Sequence, residues 1–219
     1  MIMIAQFLTL LCALQLPWSA IAQNQNETYA NGLNFQYPYP VHFYRFVSQM
    51  QPLEMAYMDV RPACAEEEQK GTIVLLHGKY FCGATWNGTM HFLLANGYRV
   101  IAPDQIGFCK STKTPSYQFS LYQLATNTNN LLKSLNVTDS IIMGHSMGGM
   151  ISARYSLMFP DQVSRLVLVD PLGLENWFAK GVPYQTIDVS YETELAQNYS
   201  TIMTYENTCL LYTSPSPRD

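Results

Sequence analysis

Ile141-Ile142-Met143-Gly144-His145-Ser146-Met147-Gly148-Gly149-Met150 is the stretch on which the fold turns. A short apolar run gives way to Gly-His-Ser-Met-Gly and passes at once into residues with helical spacing. Strand, tight turn and helix in that order is the context in which G-x-S-x-G lifts a serine hydroxyl above the end of a sheet. The string alone is weak: three fixed residues at about 7% usage each arise by chance in roughly 7% of chains this long. Its flanks make it informative.

The segments around it alternate in kind. His42–Met50 and Leu53–Val60 carry Tyr, Phe and Val at alternating positions and predict two hairpin strands. Gly71–Leu76 is a continuous apolar run of buried-strand type, ending at His77-Gly78. The spacing predicts a helix over Trp86–Asn96 closed by Gly97, then a strand over Tyr98–Ala102 ending in Pro103-Asp104. An amphipathic helix follows over Ser120–Ser134, a strand over Ser140–Met143, a helix over Met147–Phe159 stopped by Pro160, and a buried strand over Val163–Val169. Strand and helix in alternation predict an α/β fold with a mostly parallel sheet and right-handed crossovers. Such sheets bind ligands at the carboxyl ends of their strands, where three Gly-containing motifs of this chain fall, at His77-Gly78, after Pro103-Asp104 and at Gly144–Gly149.

The bulk numbers narrow the function. A chain of 219 residues, 48% hydrophobic, can bury one sizeable core. With 12 Lys and Arg against 16 Asp and Glu, it lacks the basic footprint that nucleic-acid binding requires. Glu66-Glu67-Glu68 reads as a solvated loop. Nothing in the chain asks for a metal or a cofactor, and the oligomeric state is not written in it.

Residues 1–22 carry no charged side chain and end Ala20-Ile21-Ala22, which predicts a signal peptide cleaved before Gln23 and a secreted or periplasmic protein. The alternative is an uncleaved membrane anchor, which Pro17, Gln6 and Gln15 disfavour; after cleavage no stable membrane span is expected. Export would place Cys64, Cys82 and Cys109 in an oxidising compartment. Sequons stand at Asn26, Asn87, Asn136 and Asn198. Residues 209–219, Cys-Leu-Leu-Tyr-Thr-Ser-Pro-Ser-Pro-Arg-Asp, match codon for codon the translation of a transposase-type sequencing adapter. They are read as an adapter artefact, with the natural reading frame interrupted near Thr208.

Three motifs together carry a family likeness. His77-Gly78-Lys79 through Trp86 looks like an H-G-x…W oxyanion loop; Pro103-Asp104-Gln105-Ile106-Gly107-Phe108-Cys109-Lys110-Ser111 looks like P-D-x-x-G-x-G-x-S, with Cys109 where Gly is usual; Gly144–Gly149 looks like a nucleophile elbow. Over roughly residues 43–178 the chain resembles the α/β-hydrolase family. The resemblance implies a hydrolase core over residues 23–171 and the start of a helical cap over residues 172–208. It implies Ser146 as nucleophile, with the amides of Met147 and Lys79 as the oxyanion hole. His77 and His145 would be structural, the first orienting the oxyanion loop and the second lying beneath the elbow. Acid and base should follow the nucleophile in the chain. Asp170 is the one early acid candidate, and no histidine follows Ser146.

The resemblance places Cys82 and Cys109 in loops after neighbouring strands, so in an exported protein a disulfide between them is expected. The implied activity is hydrolysis of small or medium acyl esters through an acyl-enzyme, on a small-molecule substrate. A non-catalytic ligand binder, a carbon–carbon bond hydrolase and a perhydrolase are the alternatives. The interrupted chain itself is expected to lack activity and to fold poorly.

Overall fold

The computed structural model describes residues 36–63, 69–114 and 116–174. Residues 1–22, expected to be a signal peptide, residues 175–208 of the expected cap, residues 209–219 and Cys64 lie outside the described residues. Within them the chain forms β1 (His42–Ser48), β2 (Gln51–Val60), β3 (Thr72–Leu76), α1 (Asn87–Ala95), β4 (Arg99–Pro103), α2 (Leu121–Ser134), β5 (Ser140–His145), α3 (Met147–Met158) and β6 (Val163–Val169). The six strands make one sheet in the order β1-β2-β4-β3-β5-β6. β1 and β2 are antiparallel to each other and β2 is antiparallel to β4, while β4, β3, β5 and β6 run parallel.

The central strands are apolar throughout because both faces of the sheet are covered. Side chains alternate across a strand. Ile73 and Leu75 of β3, with Val100 and Ala102 of β4, pack beneath Trp86 and with Met90 and Leu93 of α1. Val74, Leu76, Ile101 and Ile142 point the other way, into a core closed by Leu124, Leu131 and Leu132 of α2 and Ile151 and Tyr155 of α3. The sheet is thus sandwiched between α1 on one side and α2 with α3 on the other. β6 ends the order of strands, and its Leu166 remains 39% exposed.

The chain path locates the site. From β3 it turns through α1 to β4 on one side; from β5 it turns through α3 to β6 on the other. β3 and β5 are neighbours, so their outgoing loops diverge and open a crevice at the carboxyl ends of the two strands. The β3 loop carries His77-Gly78-Lys79, and the β5 loop carries Ser146.

Candidate active site

Ser146 stands between β5 and α3 with φ 53° and ψ −117°, a backbone conformation that L-residues rarely adopt. The glycines around it are required sterically. A β-carbon on Gly148 would lie 2.0 Å from the Leu76 carbonyl oxygen, and one on Gly144 would lie 2.2 Å from that of Gly148. One on Gly149 would meet Pro171 Cβ at 2.6 Å. Hydrogen bonds then hold the turn to the end of β6: Ser146 N–H donates to Val169 O at 3.1 Å, and Ser146 O accepts from Leu172 N–H at 3.3 Å. G-x-S-x-G-G is therefore the composition that this packing demands. Met147 opens α3, and a first-turn amide has no partner inside its own helix.

The β3 loop comes up against the serine. A β-carbon on Gly78 would sit 3.2 Å from Ser146 Cβ and 3.0 Å from His145 Nδ1, so the His-Gly turn is seated on the elbow. Lys79 comes next; its side chain is exposed, with Nζ 5.1 Å from the centre of the Tyr80 ring. The packing of Gly78 against Ser146 brings the segments that carry Lys79 and Met147 close together.

His77 is 1% exposed and fully engaged. Its Nε2 accepts from Gln105 N–H at 2.9 Å, which leaves the proton on Nδ1 to donate to Gly78 O at 2.8 Å. Burial lowers its pKa, against the opposing pull of Asp104, so the ring is held neutral. Both nitrogens are committed to backbone, and none is left for a serine hydroxyl. His145 is half-buried, edge-on to Phe81 at 5.8 Å between ring centres. Burial lowers its pKa too, with the Asp170 carboxylate acting in the opposite direction. His91 bonds Asn87 O within α1, and His42 packs against Tyr57 in the hairpin. All four histidines are thereby accounted for.

Asp170 follows β6 directly, exposed, with φ 41°. It shares the carboxyl end of the sheet with Ser146, and its charge is felt at His145.

One expectation needs correction. Cys82 and Cys109 do come together, in a small buried cluster with Ala84, yet both are free thiols and not a disulfide. The Cys109 thiol is directed at Phe81 O, 3.5 Å away. Burial, with Cys109 and Asp104 beside it, pushes the Cys82 thiol well above its ordinary pKa, which suppresses the thiolate that exchange requires.

Asp104, which the sequence shows only as part of the P-D motif, and Tyr37, which lies outside every motif, meet at the site. Asp104 is 1% exposed. Its Oδ1 accepts from Gly83 N–H in the β3 loop at 2.7 Å; its Oδ2 accepts from Lys110 N–H at 3.0 Å and from Tyr37 Oη–H at 2.5 Å. An aspartate after a strand-ending proline was a signal for such a turn. Tyr37, remote in sequence from every motif, gave none. Among the described residues no group of three or more His, Cys, Asp or Glu side chains is placed to hold a metal, and no helix is long and apolar enough to cross a membrane.

Comparison with known proteins agrees with this geometry. A probable hydrolytic enzyme of Pseudomonas aeruginosa PAO1, solved by crystallography, superposes with a TM-score of 0.74 at 50% identity, over 80% of this chain and 55% of that one. Lipase 1 of Psychrobacter immobilis is 36% identical over 112 residues, 51% of this chain and 34% of its own length. An uncharacterized protein of Mycobacterium tuberculosis is 38% identical over 102 residues, 47% of this chain and 29% of its own. The chain thus spans about a third of these curated relatives and about half of the solved one. The model of the alpha/beta hydrolase fold family matches residues 71–201, which contain the His-Gly loop after β3, the P-D turn and the Ser146 turn alike. By that match, and by an elbow whose glycines are imposed by contact, the chain belongs to the α/β-hydrolase fold family.

Proposed function

We propose that the intact protein is a serine hydrolase that cleaves esters of small or medium acyl groups through an acyl-enzyme on Ser146. The observation that carries this reading is the strained backbone of Ser146 with Gly78 packed against it. A serine is a poor nucleophile unless an adjacent base takes its proton. Attack of Oγ on the ester carbonyl would move charge onto the carbonyl oxygen, between the amides of Met147 and Lys79. Collapse of the tetrahedral adduct releases the alcohol, and water then frees the acid. The base, and an acid for it if Asp170 does not serve, belong in this reading to the uninterrupted frame past Thr208. The relatives support the chemistry by kind, a lipase and a hydrolytic enzyme among them.

The test compares the 219-residue chain with protein expressed from the complete reading frame, using p-nitrophenyl butyrate. The complete protein should turn over, and the 219-residue chain should not. Ser146→Ala in the complete protein should lower kcat by about 10⁴-fold or more. Undiminished hydrolysis by that variant would remove Ser146 from the mechanism. Export is part of the same proposal: mature protein recovered from the periplasm or medium should begin at Gln23, and recovery of chains beginning at Met1 in the membrane fraction would favour the anchor.

A further inference from the structure

The oxyanion loop is braced from outside the region that the family model matches. We propose that Tyr37 is a positioning residue of the hydrolase: through the buried Asp104 carboxylate it fixes the β3 loop that presents the Lys79 amide. The inference rests on the serine-hydrolase reading of Ser146. Tyr37 precedes the matched residues 71–201, so the brace is supplied by the N-terminal segment and not by the matched core.

The links are short and continuous. Tyr37 Oη–H donates to Asp104 Oδ2 at 2.5 Å, and Asp104 Oδ1 accepts from Gly83 N–H at 2.7 Å. Gly83 lies close against the end of β4, where a β-carbon would stand 2.8 Å from Ala102 O, so only glycine fits there. The same loop is fixed at its start by His77 Nε2 on Gln105 N–H. It is held at its middle by Phe81 O, which accepts from Cys109. All three anchors on the far side belong to the single turn Asp104–Cys109. Lys79 lies between the first anchor and the second. That turn is itself held down by Ser111, whose Oγ donates to Asp104 O at 2.6 Å and accepts from Ala56 N–H at 2.9 Å.

Tyr37 ties the segment that precedes β1 into this network. Its ring packs on Cys82, Ala84 and Cys109 and lies under Lys110 Nζ, 5.2 Å from the ring centre. Burial first, and the Asp104 carboxylate second, push its phenol far above the ordinary tyrosine pKa, so the proton remains on oxygen and the donor persists. A donor amide displaced by a fraction of an ångström weakens its bond to the developing oxyanion more than it weakens ground-state binding. The brace should therefore be felt in kcat and not in KM.

The experiment uses the enzyme from the complete reading frame, as wild type, Tyr37→Phe, Asp104→Asn and Ser146→Ala. Active sites are titrated with a fluorophosphonate, and kcat is expressed per titrated site, so misfolded molecules are not counted. For Tyr37→Phe, which removes one oxygen, kcat per site should fall roughly tenfold with KM within about twofold of wild type. The affinity for a trifluoromethyl ketone, which forms a tetrahedral adduct on serine, should fall by a similar factor. Asp104→Asn should reproduce both changes. Unchanged kcat per site in Tyr37→Phe overturns the proposal, and so does a variant that loses titre alone. Activity surviving in Ser146→Ala would instead overturn the reading on which it rests.

Discussion

At Ser146 the backbone is held where an L-residue stores about 1–3 kcal/mol of strain. Glycine adopts that conformation freely, so Ser146→Gly should abolish hydrolysis and at the same time raise stability by about 1 kcal/mol, measured by urea unfolding. A loss of stability in that variant would show that the hydroxyl, and not the strain, dominates there. The glycines beside it have no such latitude. Gly148→Ala drives a methyl into the Leu76 carbonyl and should cost about 3 kcal/mol or more, seen as insoluble or early-melting protein. The identity of this turn was legible in the sequence because its glycines are steric necessities. The role of Tyr37 was not, because a contact between residues 37 and 104 leaves no local pattern to read. The Cys82–Cys109 pairing was legible as proximity but not as chemistry. Spacing and topology brought the sulfurs together, while the position of a carbonyl decided where the Cys109 thiol pointed.

Among the elements, the two sides of α1 and α2 differ in what sets them. α2 begins at Ser120, whose Oγ accepts from Gln123 N–H at 3.1 Å. Ser120→Ala should lower stability by about 1 kcal/mol, and Thr or Asp there should retain most of it in the same thermal-melting assay. α1 carries Gly88 on an exposed turn with no atom within 4 Å of where a β-carbon would go. Gly88→Ala should therefore stabilise by about 0.5–1 kcal/mol; a destabilised variant would mean that this turn is not helical in solution. The predicted helix over Trp86–Asn96 and strand over Ser140–Met143 both differ from the observed bounds for reasons of contact. A 3-10 turn over Gly83–Trp86 precedes α1, its first amide taken by Asp104. β5 runs on through Gly144 and His145 because β6 pairs with both. The hairpin turn at Gln49-Met50 has positive φ at both residues without a glycine or asparagine to announce it. It is held from a distance, Gln49 Nε2 donating to Gln118 O at 2.8 Å and Gln49 Oε1 accepting from Gln118 N–H at 2.9 Å.

For the molecule as a whole, buried titratable groups set the pH range of the fold. His77 and His145 have pKa values lowered by burial, so below the unfolded value of about 6.5 the unfolded chain binds protons that the folded chain refuses. Their contribution is complete above that pH and declines as the solution is acidified towards their folded-state values. The urea midpoint should be lower at pH 5 than at pH 7.5, with a smaller difference in His77→Gln. On the alkaline side Tyr37, Tyr57 and Tyr155 have raised pKa values, Tyr155 being pushed up to about 12 by burial. Unfolded phenols ionise near 10, so stability should fall between about pH 10 and 12 as the unfolded state alone sheds protons. Between these limits the alternation of strand and helix made the layered architecture readable from sequence. The strand order was not readable, since it depends on which edges meet.

That order has a consequence in time. Gly148 rests on the last carbonyl of β3, Ser146 N–H on the last carbonyl of β6, and β5 lies between them. The turn's own bonds, from Gly149 N–H and Met150 N–H to Ser146 O, are joined by contacts from β3 and β6, so three strands must be in register before the full set is made. Pairings of long sequence separation form late in folding. During refolding of the proposed enzyme, reactivity of Ser146 towards a fluorophosphonate should therefore act as a clock that starts only when the sheet is assembled.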